Sequence, residues 1–305
     1  MQGATLAVGL IDRRDATSRP RPALFRALGA ADPPPEVEID GESFRRGEIL
    51  KHDSWAATAV YRSATRRALC KFNRRQPVLG LPMRWLGRRL AARERGFMER
   101  LAGIEGIPAS LGPIRADGRL LDHAVSRAWV DGHALRHRER VDDDFFPRLA
   151  GLLAAVHARG VAHADLHKRE NILVDTAGRP HLIDYQISFS VPAANRFAAR
   201  LAAWLATGLF RVLARCDEYH LLKHRLRHRP DQVSAAEADL DRARPAWIRA
   251  HRRVAVPLRT CRRQLLVWLG VRDRSGQAES EFFPEVAHRP VTAAAHPAWH
   301  GRRAA

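Results

Sequence analysis

The segment 161–188, VAHADLHKRENILVDTAGRPHLIDYQIS, limits what this chain can fold into more than any other stretch. Two short apolar runs, residues 172–174 and 182–183, flank a turn at Gly178 and have the length and bounding residues of strands in a tight hairpin. Polar groups stand at both ends of that hairpin, Asp165 and Asn171 before it and Asp184 after it. Two carboxylates and an amide brought together in this way supply a proton acceptor and hard oxygen ligands, which is what phosphoryl transfer from a magnesium nucleotide needs. The same residues would also suit a metal-hydrolase fragment, or a loop whose polar side chains cap its own backbone. His163 reads as a structural histidine bonded to loop backbone, and His167 has no role in this pattern.

A chain of 305 residues with 46% hydrophobic content holds one large domain, or a domain in two parts, with a sizeable core, and this excludes disorder throughout. The formal net charge of +19 attracts phosphate-rich surfaces. Only four of the 52 basic residues are lysine, however: Lys51, Lys71, Lys168 and Lys223. The arginine and alanine bias of a GC-rich genome produces such a charge without a nucleic-acid function, so nucleic acid ranks last among the partners. A lysine kept where arginine is the default points to a need for a compact ammonium. Cys70, Cys216 and Cys261 form no close pair, which suggests neither a zinc site nor a disulfide framework and suits a reducing cytoplasm. Residues 1–11 lack the basic start of a signal peptide, and the longest apolar run, 201–210, is too short to cross a bilayer.

Residues 1–40, with RPRP and DPPP, read as a loose tail containing one helical turn near 23–28, and residues 276–305 read as another. Strand-like pieces follow at 48–51, 58–61 and 68–72. Lys71 lies in the last of these, in the apolar run ALCKF, where a strand can direct its ammonium into a cleft. Between 85 and 101, Leu86, Leu90, Phe97, Met98 and Leu101 recur at helical spacing, and Glu94 falls on the same stripe. A carboxylate on a buried face is costly unless paired, and Lys71 is its natural partner. Local pairing with Arg93 or Arg95 from the edge of the stripe is the alternative. Strand material recurs at 120–130. Acidic residues 142–144 then precede a helix with the stripe Phe146, Leu149, Leu152, Leu153 and Val156, closed by Gly160.

HADLH, ENIL and LIDYQ, in this order, resemble the protein-kinase superfamily, and within it the atypical bacterial branch: the lipopolysaccharide kinase (Kdo/WaaP) family, with RIO-type kinases close by. The resemblance implies an α+β, two-lobed protein-kinase-like fold, with a small β-rich N-lobe carrying one long helix over 41–130 and a mainly helical C-lobe over 131–275. It implies ATP and Mg²⁺ as cofactors. Residue by residue, Asp165 matches the catalytic base, Asn171 and Asp184 the metal ligands, Lys71 the lysine on the phosphates, and Glu94 the glutamate that positions that lysine. The turn 52–57 would cover the phosphates; it lacks GxGxxG, and although Ser54, Ala56 and Ala57 would still let amides approach, it reads equally well as an ordinary hairpin turn. Backbone groups at 128–130 would meet the adenine edge. Two positions depart from the family. The step from Asp165 to Asn171 is one residue longer, which calls for a bulge, and Gln186 replaces a glycine and with it the backbone freedom that a flip of this segment would use.

The implied activity is transfer of the γ-phosphate to a hydroxyl. A sugar of the lipopolysaccharide core stands first as acceptor. Protein serine or threonine stands second, as in RIO-like kinases, and a small molecule third, as in aminoglycoside and choline kinase-like enzymes. The alternative from another class is a pseudokinase, a nucleotide-binding scaffold. Beyond Ser188 there is no APE-like motif and little room for an activation segment. In 196–215 the arginines at 196, 200, 211 and 215 project onto one helical face, with Trp204, Leu205, Leu209 and Phe210 elsewhere, as in a core helix with one solvated edge. Together with the arginine-rich, tryptophan-containing segment 247–269, interrupted by Pro257, this also fits a cytoplasmic protein in peripheral contact with the anionic inner membrane.

Overall fold

The computed structural model describes residues 23–78, 80–191 and 197–240, with a few further positions between 245 and 264. Its first part is a seven-stranded antiparallel sheet. In chain order the strands are β1 (Glu36–Ile39), β2 (Glu42–His52), β3 (Ala56–Arg62), β4 (Arg67–Asn73), β5 (Ile114–Ala116), β6 (Arg119–Leu120) and β7 (Ala124–Ala128), and in space they run β6-β5-β1-β2-β3-β4-β7. β3 and β4 pair in unbroken register from Ala56↔Asn73 to Arg62↔Arg67, whereas β2 shifts register twice between Arg46 and Lys51. Such irregularities bend a strand and raise its twist. The residues around 109–116 then reach both edges: Ala109 O accepts from Ala128 N at 2.8 Å at the end of β7, while Ile114 in β5 pairs with Ile39 in β1. The sheet is thereby curled onto itself, around Ile39, Phe44, Tyr61, Phe72 and Ile114.

Residues 23–40 are not a tail. Ala23–Phe25 forms a 3₁₀ turn, Ala27 is buried, and β1 lies within the sheet with Val37 and Ile39 inward and Glu36 and Glu38 outward. Four residues of alternating charge and apolarity make a period of two too short to separate from loop in the sequence.

α1 (Arg84–Arg100) follows β4 and packs on β4 and β7. Its buried stripe is Gly87, Ala91, Glu94 and Met98, with Phe97 beside it; Leu86 and Leu90 lie at its half-buried edge. The helix is rotated so that its small residues face the sheet. Gly87 explains why, since a Cβ there would stand 2.3 Å from the carbonyl oxygen of Arg74.

The second part is mainly helical. α2 (Phe145–Ala158) buries Phe145, Phe146, Leu149, Leu152, Leu153 and Val156, as its spacing predicts, although Asp144 at its start makes no side-chain cap. β8 (Gly132–Ala134), β10 (Ile172–Asp175) and β11 (Pro180–Leu182) form a small antiparallel sheet whose β10–β11 hairpin pairs Ile172 with Leu182. β9 (Val161–Ala162) pairs with β12 (Phe189–Ser190), and the 32-residue α3 (Phe197–His228) packs against both. A second apolar cluster joins α1, through Ala91, Phe97, Met98 and Leu101, to α2 and to the β10–β11 hairpin. The class is therefore α+β. Among the described residues, no helix is long and apolar enough to cross a membrane.

Candidate active site

Four elements converge where the two parts meet. β4 presents Lys71, α1 presents Glu94, the β10–β11 hairpin ends in Asp184, and the loop before that hairpin carries Asp165 and Asn171. The Lys71 ammonium stands 3.0 Å from Glu94 Oε2 and donates to Asp184 Oδ1 at 2.7 Å. The two local candidates for Glu94 are directed elsewhere: Arg95 donates to Ala124 O at 3.3 Å and Arg93 to Ser188 O at 2.7 Å. Burial opposes the charge on Lys71, but the two carboxylates outweigh it and hold the ammonium charged beyond its ordinary range. Glu94 has the opposite balance. It is fully enclosed, so burial raises its pKa; Lys71 pulls down and the charge of Asp184 pushes up again. Asp184, also burdened by burial, is kept below the usual carboxylate range by Lys71.

The additional residue between Asp165 and Asn171 is taken up by two successive turns. Lys168 N donates to Asp165 O and Asn171 N to Lys168 O, each at 3.2 Å, the second closing the 3₁₀ turn Arg169–Asn171. Asn171 is thereby brought back onto Asp165, and its Nδ2 donates to Asp165 Oδ2 and to Asp165 O, both at 3.1 Å. Lys168 Nζ donates to the same Oδ2 at 2.7 Å, while Oδ1 lies 3.1 Å from His167 Nδ1. Burial works against the carboxylate of Asp165, yet His167 and Lys168 together hold it at about 2. His167 thus borders the candidate base. On α3 its ring neighbour is His220, with centroids 5.8 Å apart, and burial, with the nearby His167 and Lys223, pushes His220 down to about 4.

The loop is anchored from α3. Asp217, 1% exposed, accepts from His163 N at 2.7 Å and from Ala164 N at 2.9 Å, and its Oδ2 lies 3.2 Å from His157 Nε2. Ala164 is held at φ 62°, a conformation that disfavours residues with a side chain. His163 is structural, as its context predicts: its Nδ1 accepts from Asp165 N at 3.3 Å, which leaves the proton on Nε2 for Ile183 O at 3.0 Å. It therefore ties Asp165 to Ile183, the neighbour of Asp184. Asp184 also has positive φ, at 68°, which turns its carboxylate back toward Lys71.

Arg127 is a further buried member, absent from the motif reading. It lies on β7 opposite Leu69, on the sheet face that bears Lys71, and its guanidinium is pushed down to about 10 by burial, against the pull of Glu94 and Asp184. No motif marks Arg127, Asp217 or Lys168. The scarcity of lysine singles out Lys168, and Asp217 is the only aspartate within α3.

Two expected contributors are otherwise engaged. In the turn between β2 and β3, the amides of Trp55 and Ala56 donate to Asp53 Oδ1 at 2.8 and 2.9 Å, so the turn closes on its own carboxylate as an ordinary hairpin turn does. At 128–130, Ala128 N donates to Ala109 O and Trp129 N to Arg67 O, so these two amides are not available to an adenine edge. On α3, Trp204, Leu205 and Leu209 are exposed by 70%, 58% and 43%, rather than packed, beside the exposed Arg211 and Arg215. Arg196, the side chain of Arg200, most of 247–269 and all of 276–305 lie outside the described residues.

In comparisons with known proteins, no family model matches the chain and no curated protein matches it.

Proposed function

We propose that this chain is an ATP- and Mg²⁺-dependent phosphotransferase of the atypical protein-kinase type, with the curled sheet and α1 as its N-lobe and the helical part as its C-lobe. The observation that carries the reading is the Lys71 ammonium shared by Glu94 and Asp184, two carboxylates drawn from elements far apart in sequence. A buried lysine held charged in this way is suited to phosphate oxygens.

The donor set fits magnesium. Asn171 spends its amide hydrogens on Asp165 and Asp184 spends Oδ1 on Lys71, so each retains an oxygen that no described hydrogen bond occupies. Magnesium takes one or two protein oxygens and completes its shell with phosphate and water, which these two oxygens would allow. Bound there, magnesium would neutralise phosphate charge. Lys71 would hold the nucleotide's phosphates, and Glu94 would keep Lys71 directed at them. Asp165 would accept a hydrogen bond from the acceptor hydroxyl at Oδ1 once His167, whose Nδ1 lies 3.1 Å from that buried oxygen, moves aside. As the hydroxyl oxygen bonds to the γ-phosphorus and the bond to the bridging oxygen breaks, ADP leaves with the electron pair. A carboxylate held at about 2 is a weak base, so Asp165 orients the hydroxyl first and receives its proton late in the step.

For the acceptor we favour a sugar hydroxyl of the lipopolysaccharide core. The support is the motif resemblance together with the exposed Trp204, Leu205 and Leu209 beside Arg211 and Arg215, which suit contact with an anionic membrane surface. Protein serine or threonine and small-molecule hydroxyls follow. The engagement of the 53–56 turn with Asp53 favours a second reading, a scaffold that binds nucleotide without turnover. Magnesium-dependent ATP turnover by the purified chain separates these: turnover that Asp165→Ala abolishes supports the enzyme, and binding without turnover supports the scaffold. Mass analysis of core lipopolysaccharide from a deletion strain tests the acceptor, since an unchanged phosphate content removes the sugar reading.

A further inference from the structure

The residue that departs most from the motif, Gln186, is built into the site. Its Nε2 donates to Asn73 Oδ1 on β4, two residues beyond Lys71, just as Gln186 lies two residues beyond Asp184. Lys71–Asp184 and Asn73–Gln186 are therefore successive rungs between one strand and one segment. Asn73 is fully buried and its orientation is set, because its Nδ2 donates to His123 O at 3.2 Å and only the oxygen is left to face Gln186. From α1, Arg93 donates to Gln186 O at 3.3 Å and to Ser188 O at 2.7 Å. Ser188 in turn donates through Oγ to His163 O at 3.0 Å, and its amide to Tyr185 O at 3.1 Å. Arg93 is the neighbour of Glu94, so the residues that position Lys71 and those that hold 184–188 share one turn of helix.

We infer that Gln186, Asn73 and Arg93 form a latch that ties the 184–188 segment to β4 and α1, so that Asp184, Lys71 and Glu94 stay assembled without any activating event in that segment. The chemical logic is one of cost. Swinging Asp184 away would strand a buried amide oxygen on Asn73 and release Arg93 from two carbonyls, in addition to breaking the Lys71 ion pair. A glycine at 186 would remove the first of these penalties and leave the other two, since Arg93 bonds backbone carbonyls. Gln186 and Arg93 are thus positioning residues. The consequence for catalysis rests on the phosphotransferase reading; the latch itself rests on the hydrogen bonds alone.

The test is native-state amide exchange at 183–188 in the full chain, read on wild type, Gln186→Ala, Gln186→Glu and Asn73→Ala, with nucleotide turnover measured in parallel. Either substitution at Gln186 is expected to speed exchange of the Ile183 and Ser188 amides about tenfold, the glutamate by setting oxygen against oxygen. Adding Asn73→Ala to Gln186→Ala should bring little more, because one bond has already been lost. Gln186→Ala, whose side chain is half-buried, keeps the test open if the fully buried Asn73 does not tolerate replacement. Turnover should show a raised KM for Mg·ATP with kcat nearly kept, a split that general destabilisation does not produce. Unchanged exchange in both Gln186 variants, or effects that add fully in the double variant, would overturn the latch. Exchange that responds as expected in a chain that turns over no nucleotide upholds the latch and overturns the phosphotransferase reading.

Discussion

Two loops in this molecule bind a carboxylate through consecutive backbone amides, and they end in opposite conditions. In the 53–56 turn the carboxylate is the turn's own: Asp53 takes the amides of Trp55 and Ala56, and the donors are spent where they arise. In the 163–171 loop the carboxylate comes from α3: Asp217 takes the amides of His163 and Ala164, and the loop's own polar side chains are left to face one another and the hairpin beyond. A local cap makes a stable turn with nothing left to offer. A remote anchor fixes the backbone and leaves Asp165 and Asn171 for the chemistry we propose. The difference teaches that where an acidic residue stands relative to the amides it binds decides whether a loop spends its own polar side chains on its backbone.

Substitutions can break this contrast at either loop, and the largest effect is expected at the second. Asp165→Asn keeps the size and the hydrogen bond from Lys168 but cannot receive the acceptor proton; turnover is expected to fall about 10³-fold with the denaturation midpoint nearly unchanged. Glu94→Gln leaves Lys71 with Asp184 alone, and an approximately 10²-fold loss in kcat/KM is expected, read in the same assay. Asp217→Ala removes the anchor from two buried amides; urea denaturation should show a stability loss of about 3 kcal/mol, accompanied by loss of turnover. Asp53→Asn should do least. It keeps an acceptor for both amides and gives up the ion pair with the exposed Lys51, so turnover is expected to change less than about threefold and stability by under about 1 kcal/mol.

Acid sharpens the contrast from another side, because His220 and His224 on α3, beside the anchored loop, and His123 before β7 are held neutral. Burial, chiefly, puts His123, His220 and His224 at about 4, against an ordinary 6.5. The unfolded chain therefore takes up protons first as pH falls. Stability is full above about pH 6.5 and is lost progressively from there toward pH 4. Denaturation midpoints measured between pH 7.5 and 4.5 should fall steadily, and replacing His224, whose Nε2 meets Leu166 O at 2.8 Å in the anchored loop, with Gln should flatten the slope. A profile equally steep in that variant would remove His224 from the account.

Much of this is legible in the sequence. Lys71 and Glu94 could be matched because each was conspicuous by itself, a lysine in an apolar strand and a carboxylate on an apolar helical stripe, and each made the other affordable. The β10–β11 hairpin and the buried face of α2 followed from periodicity, whereas α1 matched only in its second half, because Gly87 and Ala91 replace Leu86 and Leu90 against the sheet. What escaped was whatever depends on contacts between distant segments with no local signature. β1 has the alternation EVEI but no length to distinguish it; it pairs with β2 through the two-residue turn Asp40–Gly41, and β5, far along the chain, covers its other edge. Asp217 and Arg127 sit in sequences that would serve equally well on a surface, and only the packing of α3 and β7 turns them inward. The engagement of the 53–56 amides with Asp53 was hidden for a different reason: the sequence shows the small residues of a phosphate turn but not where its hydrogen bonds go. Similarly, the extra residue before Asn171 looks like an interruption until two consecutive turns absorb it.

The claim on which the rest depends is that Lys71, Asp184 and Asn171 make one site for a magnesium nucleotide. Calorimetric titration of ATP into the purified chain, with and without Mg²⁺, tests it directly, using wild type and Asp184→Asn. The account predicts that wild type binds ATP in a magnesium-dependent manner and that Asp184→Asn loses the magnesium dependence while remaining folded. Absence of binding in wild type, or the same magnesium dependence in both proteins, would contradict it.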